Sequence, residues 1–137
     1  MKKLSRRSFL GSSTFLSFAG ALGALPLLGS SPKKPKPNFI HHVYFWLHNP
    51  DSEEDKAKLI EGLNTLKAIK EIRLAKIGVP ASTNRDVIER GYAISWLLFF
   101  DNLEEQELYQ KHPIHLNFVE NYAPLWSKVI VYDSVDV

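Results

Sequence analysis

The sequence predicts an α+β fold of order β-α-β-β-α-β, carried by residues 39–137 and preceded by a segment of different character. Three observations lead there. Four runs rich in β-branched and aromatic residues are short enough for strands. Two stretches between them repeat apolar residues at helical spacing. The chain also begins with residues that share neither pattern and contain no acid.

Residues 1–31 hold Lys2, Lys3, Arg6 and Arg7, and from Phe9 to Ser31 no charge occurs. A basic start followed by a moderate apolar run, here diluted by Gly and Ser, is the build of an export signal. Ser5-Arg6-Arg7-Ser8-Phe9-Leu10 resembles the twin-arginine pattern S-R-R-x-F-L. That resemblance implies the twin-arginine (Tat) translocase as a partner during export and a periplasmic or extracytoplasmic destination. An uncleaved signal would instead tether the protein, since its uncharged run is near the ~20 residues of a spanning helix. Residues 32–38, with Lys33, Lys34 and Lys36 among prolines, read as an extended spacer.

The leader also accounts for the net charge of +2. Four of the 17 basic residues lie in it, which leaves 13 against 15 acids in the remainder. The domain is therefore slightly acidic, and no nucleic-acid partner is expected. The absence of cysteine excludes disulfides, thiolate-held metals and thiol nucleophiles.

Phe39 to His48 is the first strand, and Asn49-Pro50-Asp51 turns the chain. Ser52 is placed to cap a helix whose first turn carries Glu53, Glu54 and Asp55, favourable to the helix dipole. Ala57, Ile60, Leu63 and Leu66, with Leu59, give that helix an apolar face. Ile72 to Gly78 forms a second strand, Val79 to Glu89 a loop, and Tyr92 to Phe100 a strand apolar enough to be buried on both faces. Asp101-Asn102 opens a short helix to about Gln110. His112-Pro113 interrupts it, and a further helical piece runs from Ile114 towards Tyr122. Lys128 to Ser134 is the last strand.

This order is the ferredoxin-like split unit, a four-stranded antiparallel sheet with its helices on one face. The strands are apolar on both faces: Val43, Phe45 and Leu47 against Tyr44 and Trp46, and Trp96 and Leu98 against Leu97 and Phe99. A lone protomer would expose that second face. A homodimer closing sheet on sheet, as a dimeric α+β barrel, is the expected assembly.

The residues able to carry chemistry are His42, Tyr109, His115 and Asp133. His42, Tyr44 and Trp46 share one face of the first strand. His115 follows the helix break, so its ring can turn back to the sheet. A His oriented by a carboxylate is a competent acid or base near neutral pH. A neighbouring Tyr hydroxyl can hold or protonate a substrate oxygen. The same residues are equally compatible with polar groups that merely complete a small core. His41 and His42 are adjacent on a strand and cannot chelate one ion together, and His112 with His115 lacks a third ligand. No metal and no cofactor is expected.

Tyr109-Gln110-Lys111-His112-Pro113-Ile114-His115, His42-Val43-Tyr44-Phe45, Glu89-Arg90-Gly91-Tyr92 and the segment Trp126 to Asp133 together resemble the stress-responsive A/B barrel (Dabb) family, from about Phe39 to Val135. The resemblance implies a dimeric α+β barrel. One branch, similar more distantly, is a plant polyketide cyclase that makes olivetolic acid by aldol condensation. It implies His115 as the base that removes a proton α to a carbonyl, with Asp133 orienting it and Tyr109 holding the carbonyl oxygen. It also places His42, Trp126 and Val131 in the pocket, near Tyr44 and Trp46; Ile94 stands where the cyclase carries His. The leading expectation is an exported homodimer binding an apolar or aromatic small molecule between sheet and helices. The alternatives are a His/Tyr acid-base enzyme on a carbonyl substrate and a non-catalytic stress-response or interaction protein.

Overall fold

The computed structural model describes residues 39–137; the leader at 1–31 and the spacer at 32–38 lie outside the described residues. The elements are β1 (Phe39–Leu47), α1 (Glu53–Leu66), β2 (Leu74–Gly78), β3 (Ile94–Phe100), α2 (Leu103–Lys111), α3 (Pro113–Tyr122), a 3-10 turn (Ala123–Leu125) and β4 (Trp126–Val135). The strands form one sheet in the order β2-β3-β1-β4, each neighbouring pair antiparallel. This is the ferredoxin-like α+β arrangement, with β1 and β3 at its centre.

Local chemistry sets the boundaries. Ser52 accepts the Asp55 backbone N–H at 3.1 Å and so satisfies one of the free donors at the start of α1. Asn102 does the same for Glu105 at the start of α2, at 2.9 Å. The break at His112-Pro113 is a full change of helix. His112 has extended backbone (φ −66°, ψ 136°), as a residue before proline prefers. Its Nδ1 accepts the Ile114 N–H at 3.1 Å, capping α3, and Pro113 occupies the first helical position, where a missing N–H costs nothing. The restarted helix brings His115 back against the Gln110 carbonyl at the end of α2.

Leu59, Leu63 and Leu66 of α1 are fully buried, as are Ile94, Leu98 and Phe100 of β3 behind them. Gly62 lies on the same helical face because α3 comes so close there. A Cβ at this position would sit 2.8 Å from the Tyr122 ring.

Two expectations about β3 need correction. The strand starts at Ile94 rather than Tyr92, and it is not buried on both faces. Trp96, Leu98 and Phe100 are buried, whereas Leu97 and Phe99 are only half-buried. The helices cover one side of the sheet, so the other side keeps Ile40, Tyr44, Trp46, Leu97 and Phe99 partly exposed.

Candidate active site between sheet and helices

β1 alternates strictly. Phe39, His41, Val43, Phe45 and Leu47 point towards the helices and are buried, while Ile40, His42, Tyr44 and Trp46 point away. On the helix side, a cavity of about 130 Å³ opens between the sheet and α2–α3. Phe45, Trp96, Phe118, Trp126, Val129 and Val131 give it apolar walls, and its polar groups are His41, Tyr109, Gln110 and His115.

These polar groups converge. The Tyr109 and His115 rings lie 4.6 Å apart, and the Tyr109 and His41 rings 5.9 Å apart. His115 Nδ1 is 3.1 Å from the Gln110 carbonyl oxygen. A carbonyl can only accept, so Nδ1 carries the proton and the neutral ring keeps its lone pair on Nε2. Burial lowers the His115 pKa below its ordinary value. The Gln110 carbonyl opposes that shift, and the nearby His41 and His112 add to it. His115 is thus held as a neutral base.

Tyr109 has the opposite character. It is 1% exposed, and burial pushes its pKa up to about 12, against a small lowering from the Trp96 contact. Trp96 Nε1 donates to its Oη at 3.3 Å, so the Tyr109 proton stays available to a second acceptor. A base and a neutral O–H donor, side by side in an apolar cavity, can remove a proton and stabilise the oxyanion that results.

Asp133 does not orient His115. Its Oδ1 is 2.6 Å from Nδ1 of His41, because antiparallel pairing sets His41 directly opposite Asp133 on β4. His41 is buried (side chain 4% exposed), whereas Asp133 is 45% exposed. The carboxylate therefore fixes Nδ1–H on His41 from the solvent side, and the support of His115 falls to the Gln110 carbonyl. His42 is not a pocket residue either. It faces away from the helices, with Nδ1 3.0 Å from Tyr44 Oη. Tyr44 and Trp46 share that face and line a separate cavity with Glu89, Tyr92 and Tyr132. Trp126 and Val131 stand in the walls of the site itself.

Sequence reasoning missed His41 and Gln110. The signal for His41 was its phase with Phe39, Val43 and Phe45; nothing in the sequence marks a backbone carbonyl. Among the described residues, no three His, Asp or Glu side chains are grouped so as to hold a metal ion. Nor is any described helix long and apolar enough to cross a membrane.

The family description Stress Responsive A/B Barrel Domain (Dabb) matches residues 40–136. Among curated proteins none matches. Solved structures agree on the fold. A Dabb family protein with a ferredoxin-like fold from Mesorhizobium loti is 19% identical with a TM-score of 0.62, covering 74% of this chain and 98% of its own. A dimeric ferredoxin-like protein from Thermobifida fusca is 18% identical with a TM-score of 0.60, covering 73% and 92%. The hydroxynitrile lyase from Passiflora edulis is 19% identical with a TM-score of 0.62, covering 75% and 96%. At these identities the likeness establishes the fold alone.

Proposed function

Starting from the fact that the chain belongs to the Dabb family of stress-responsive A/B barrel domains, we propose that it is an exported homodimer that binds a small aromatic carbonyl compound. In this reading His115 takes a proton α to the carbonyl, or from an adjacent hydroxyl, while Tyr109 donates to the oxygen. The observation that carries it is the pairing of a neutral imidazole with a strongly held tyrosine proton, rings 4.6 Å apart, in an apolar cavity. His41, fixed by Asp133 at 2.6 Å, lines the same cavity with its ring 5.9 Å from that of Tyr109 and adds a further polar group. At about 130 Å³ the cavity is below the usual range for drug-sized ligands, which favours a compact substrate or the reactive end of a longer one. One neighbour of the same fold bears the name of an enzyme, the Passiflora hydroxynitrile lyase.

The direct test is proton exchange. Phenylacetone in D₂O, followed by proton NMR, reports abstraction α to a carbonyl without a guess at the full reaction. The mature protein should accelerate exchange, and His115→Gln should reduce that acceleration by ~10²-fold or more. Binding of the ketone with no exchange above buffer would leave a ligand-binding protein and refute the catalytic part.

The homodimer is supported by the half-exposed apolar face of the sheet and by the dimeric Thermobifida fusca neighbour. Light scattering that gives a monodisperse protomer at micromolar concentration would refute it. Export is supported by Ser5 to Leu10. Replacing Arg6 and Arg7 together by Lys should leave the precursor in the cytoplasm, and unchanged export would argue for another route.

A further inference from the structure

The face of the sheet turned away from the helices carries a second cavity, of about 280 Å³, more than twice the first. Its walls are Tyr44 and Trp46 from β1, Tyr132 from β4, and Glu89 and Tyr92 from the segment that leads into β3. The rings stand nearly at right angles to one another. Tyr44 and Tyr92 are 4.9 Å apart at 76°, Tyr44 and Tyr132 5.9 Å at 81°, and Trp46 and Tyr92 6.3 Å at 74°. In each pair the edge of one ring rests on the face of the other, so the four aromatic groups brace one another around the cavity. We propose that this is an aromatic cage for a small quaternary or methylated ammonium ion.

Two features select that class of ligand. The first is the wall itself: aromatic quadrupoles attract a cation, and a quaternary ammonium needs no hydrogen-bond acceptors that such a wall lacks. The second is Glu89, the one carboxylate in the lining, steadied by the Gly91 backbone N–H, which donates to its Oε1. Lys128 Nζ lies 4.1 Å from the Trp46 ring centroid and already holds one cation against that wall, so the tyrosine rings and Glu89 are what remain for a ligand. Tyr44 stays neutral, since burial and the neighbouring Tyr92 and Tyr132 all raise its pKa.

Closure of a second copy over this face would set the cage towards one mouth of the barrel, since Trp46 lies near the end of β1 and Tyr92 just before β3. An eight-stranded barrel has an interior just wide enough for its own side chains or for one small ligand. The cage lies on the opposite side of the sheet from His115 and does not rest on the acid-base reading.

Titration calorimetry on the mature protein in its native assembly tests the assignment. Choline is the probe, and 3,3-dimethylbutan-1-ol, its neutral isostere, is the control. Choline should bind, and the isostere should bind ~10-fold more weakly or less, the ratio expected for one desolvated cation–π contact. Tyr92→Phe, which keeps the π-face, should hold choline affinity within about twofold, whereas Tyr92→Leu should lose ~10-fold. Glu89→Gln should weaken choline and leave the isostere unchanged. Circular dichroism checks that each variant is folded. Equal affinity for choline and the isostere would reduce the cavity to an apolar surface and overturn the proposal. So would the absence of binding by both choline and tetramethylammonium at tens of millimolar, which would mean that the second copy fills the space.

Discussion

Removal of one oxygen atom separates what Tyr109 does for the fold from what it does for a ligand. In Tyr109→Phe the ring keeps its neighbours: Phe100 at 5.2 Å, His115 at 4.6 Å and His41 at 5.9 Å. What is lost is the acceptor for Trp96 Nε1, a residue 1% exposed and without access to water as a substitute. An orphaned buried donor costs ~1–3 kcal/mol, and the 3.3 Å length of this bond places it at the low end, about 1 kcal/mol. For a domain of this size that is a fall in Tm of ~4–8 °C, readable by calorimetry. A bound ketone should lose one hydrogen bond from a neutral donor, ~3–10-fold in Kd. If the hydroxyl stabilises the developing enolate, exchange should drop further, by ~10²-fold. Exchange within about twofold of the parent protein would refute the role of Tyr109 as oxyanion donor. A loss of stability above ~3 kcal/mol would instead mark the hydroxyl as a structural element.

Four further outcomes follow from the structure. His115 is held neutral by burial, so its base form persists below the ordinary histidine value of 6.5, and the acid limb of the exchange-rate profile should inflect below that pH. The same shift acts on stability. The unfolded chain takes up the proton first, so stability conferred by neutral His115 is fully present above pH 6.5 and falls as pH drops from there through the lowered folded value; denaturant midpoints across pH 5–8 would reveal it, and a flat profile would argue against it. Asp133→Asn preserves an acceptor for His41 Nδ1 but removes its charge. It should cost little stability, because Asp133 is 45% exposed, yet slow exchange measurably, and an unaffected rate would exclude His41 from the chemistry. Gly62→Ala should destabilise by ~1–3 kcal/mol in urea melts, despite alanine's better helix propensity, because the new methyl meets Tyr122 at 2.8 Å; a stabilised variant would show that α3 can move away.

Where local chemistry decides, the sequence was readable. Ser52 and Asn102 punctuate the helices through bonds to residues three positions away, and Pro113 by having no N–H to leave unsatisfied; their effect needs no knowledge of the rest of the chain. The partner of Asp133 was not readable. The His41–Asp133 contact spans 92 positions and depends on the register between β1 and β4, which no local pattern specifies. The burial of β3 was misjudged for a related reason: a continuous apolar run cannot say which of its faces the helices cover.

The His41-His42 pair shows how much depends on that phase. Side chains alternate along a strand, so neighbouring residues serve opposite faces, and a shift of one position would exchange them. Since both are histidine, neither residue type nor charge distinguishes the one beside Tyr109 from the one beside Tyr44. The decision lies in their neighbours. Phe39, Val43, Phe45 and Leu47 are buried under the helices, which commits His41 to the acid-base cavity and His42 to the aromatic face. Ile40, Tyr44 and Trp46 are themselves apolar or aromatic, so hydrophobicity alone leaves the phase undecided. A polar outer face would have made it plain, but this face carries a second cavity and is proposed to meet a second copy of the chain. The ambiguity in the sequence and the two-sided character of β1 thus have one physical origin: both faces of this strand carry apolar or aromatic side chains, and each borders a cavity.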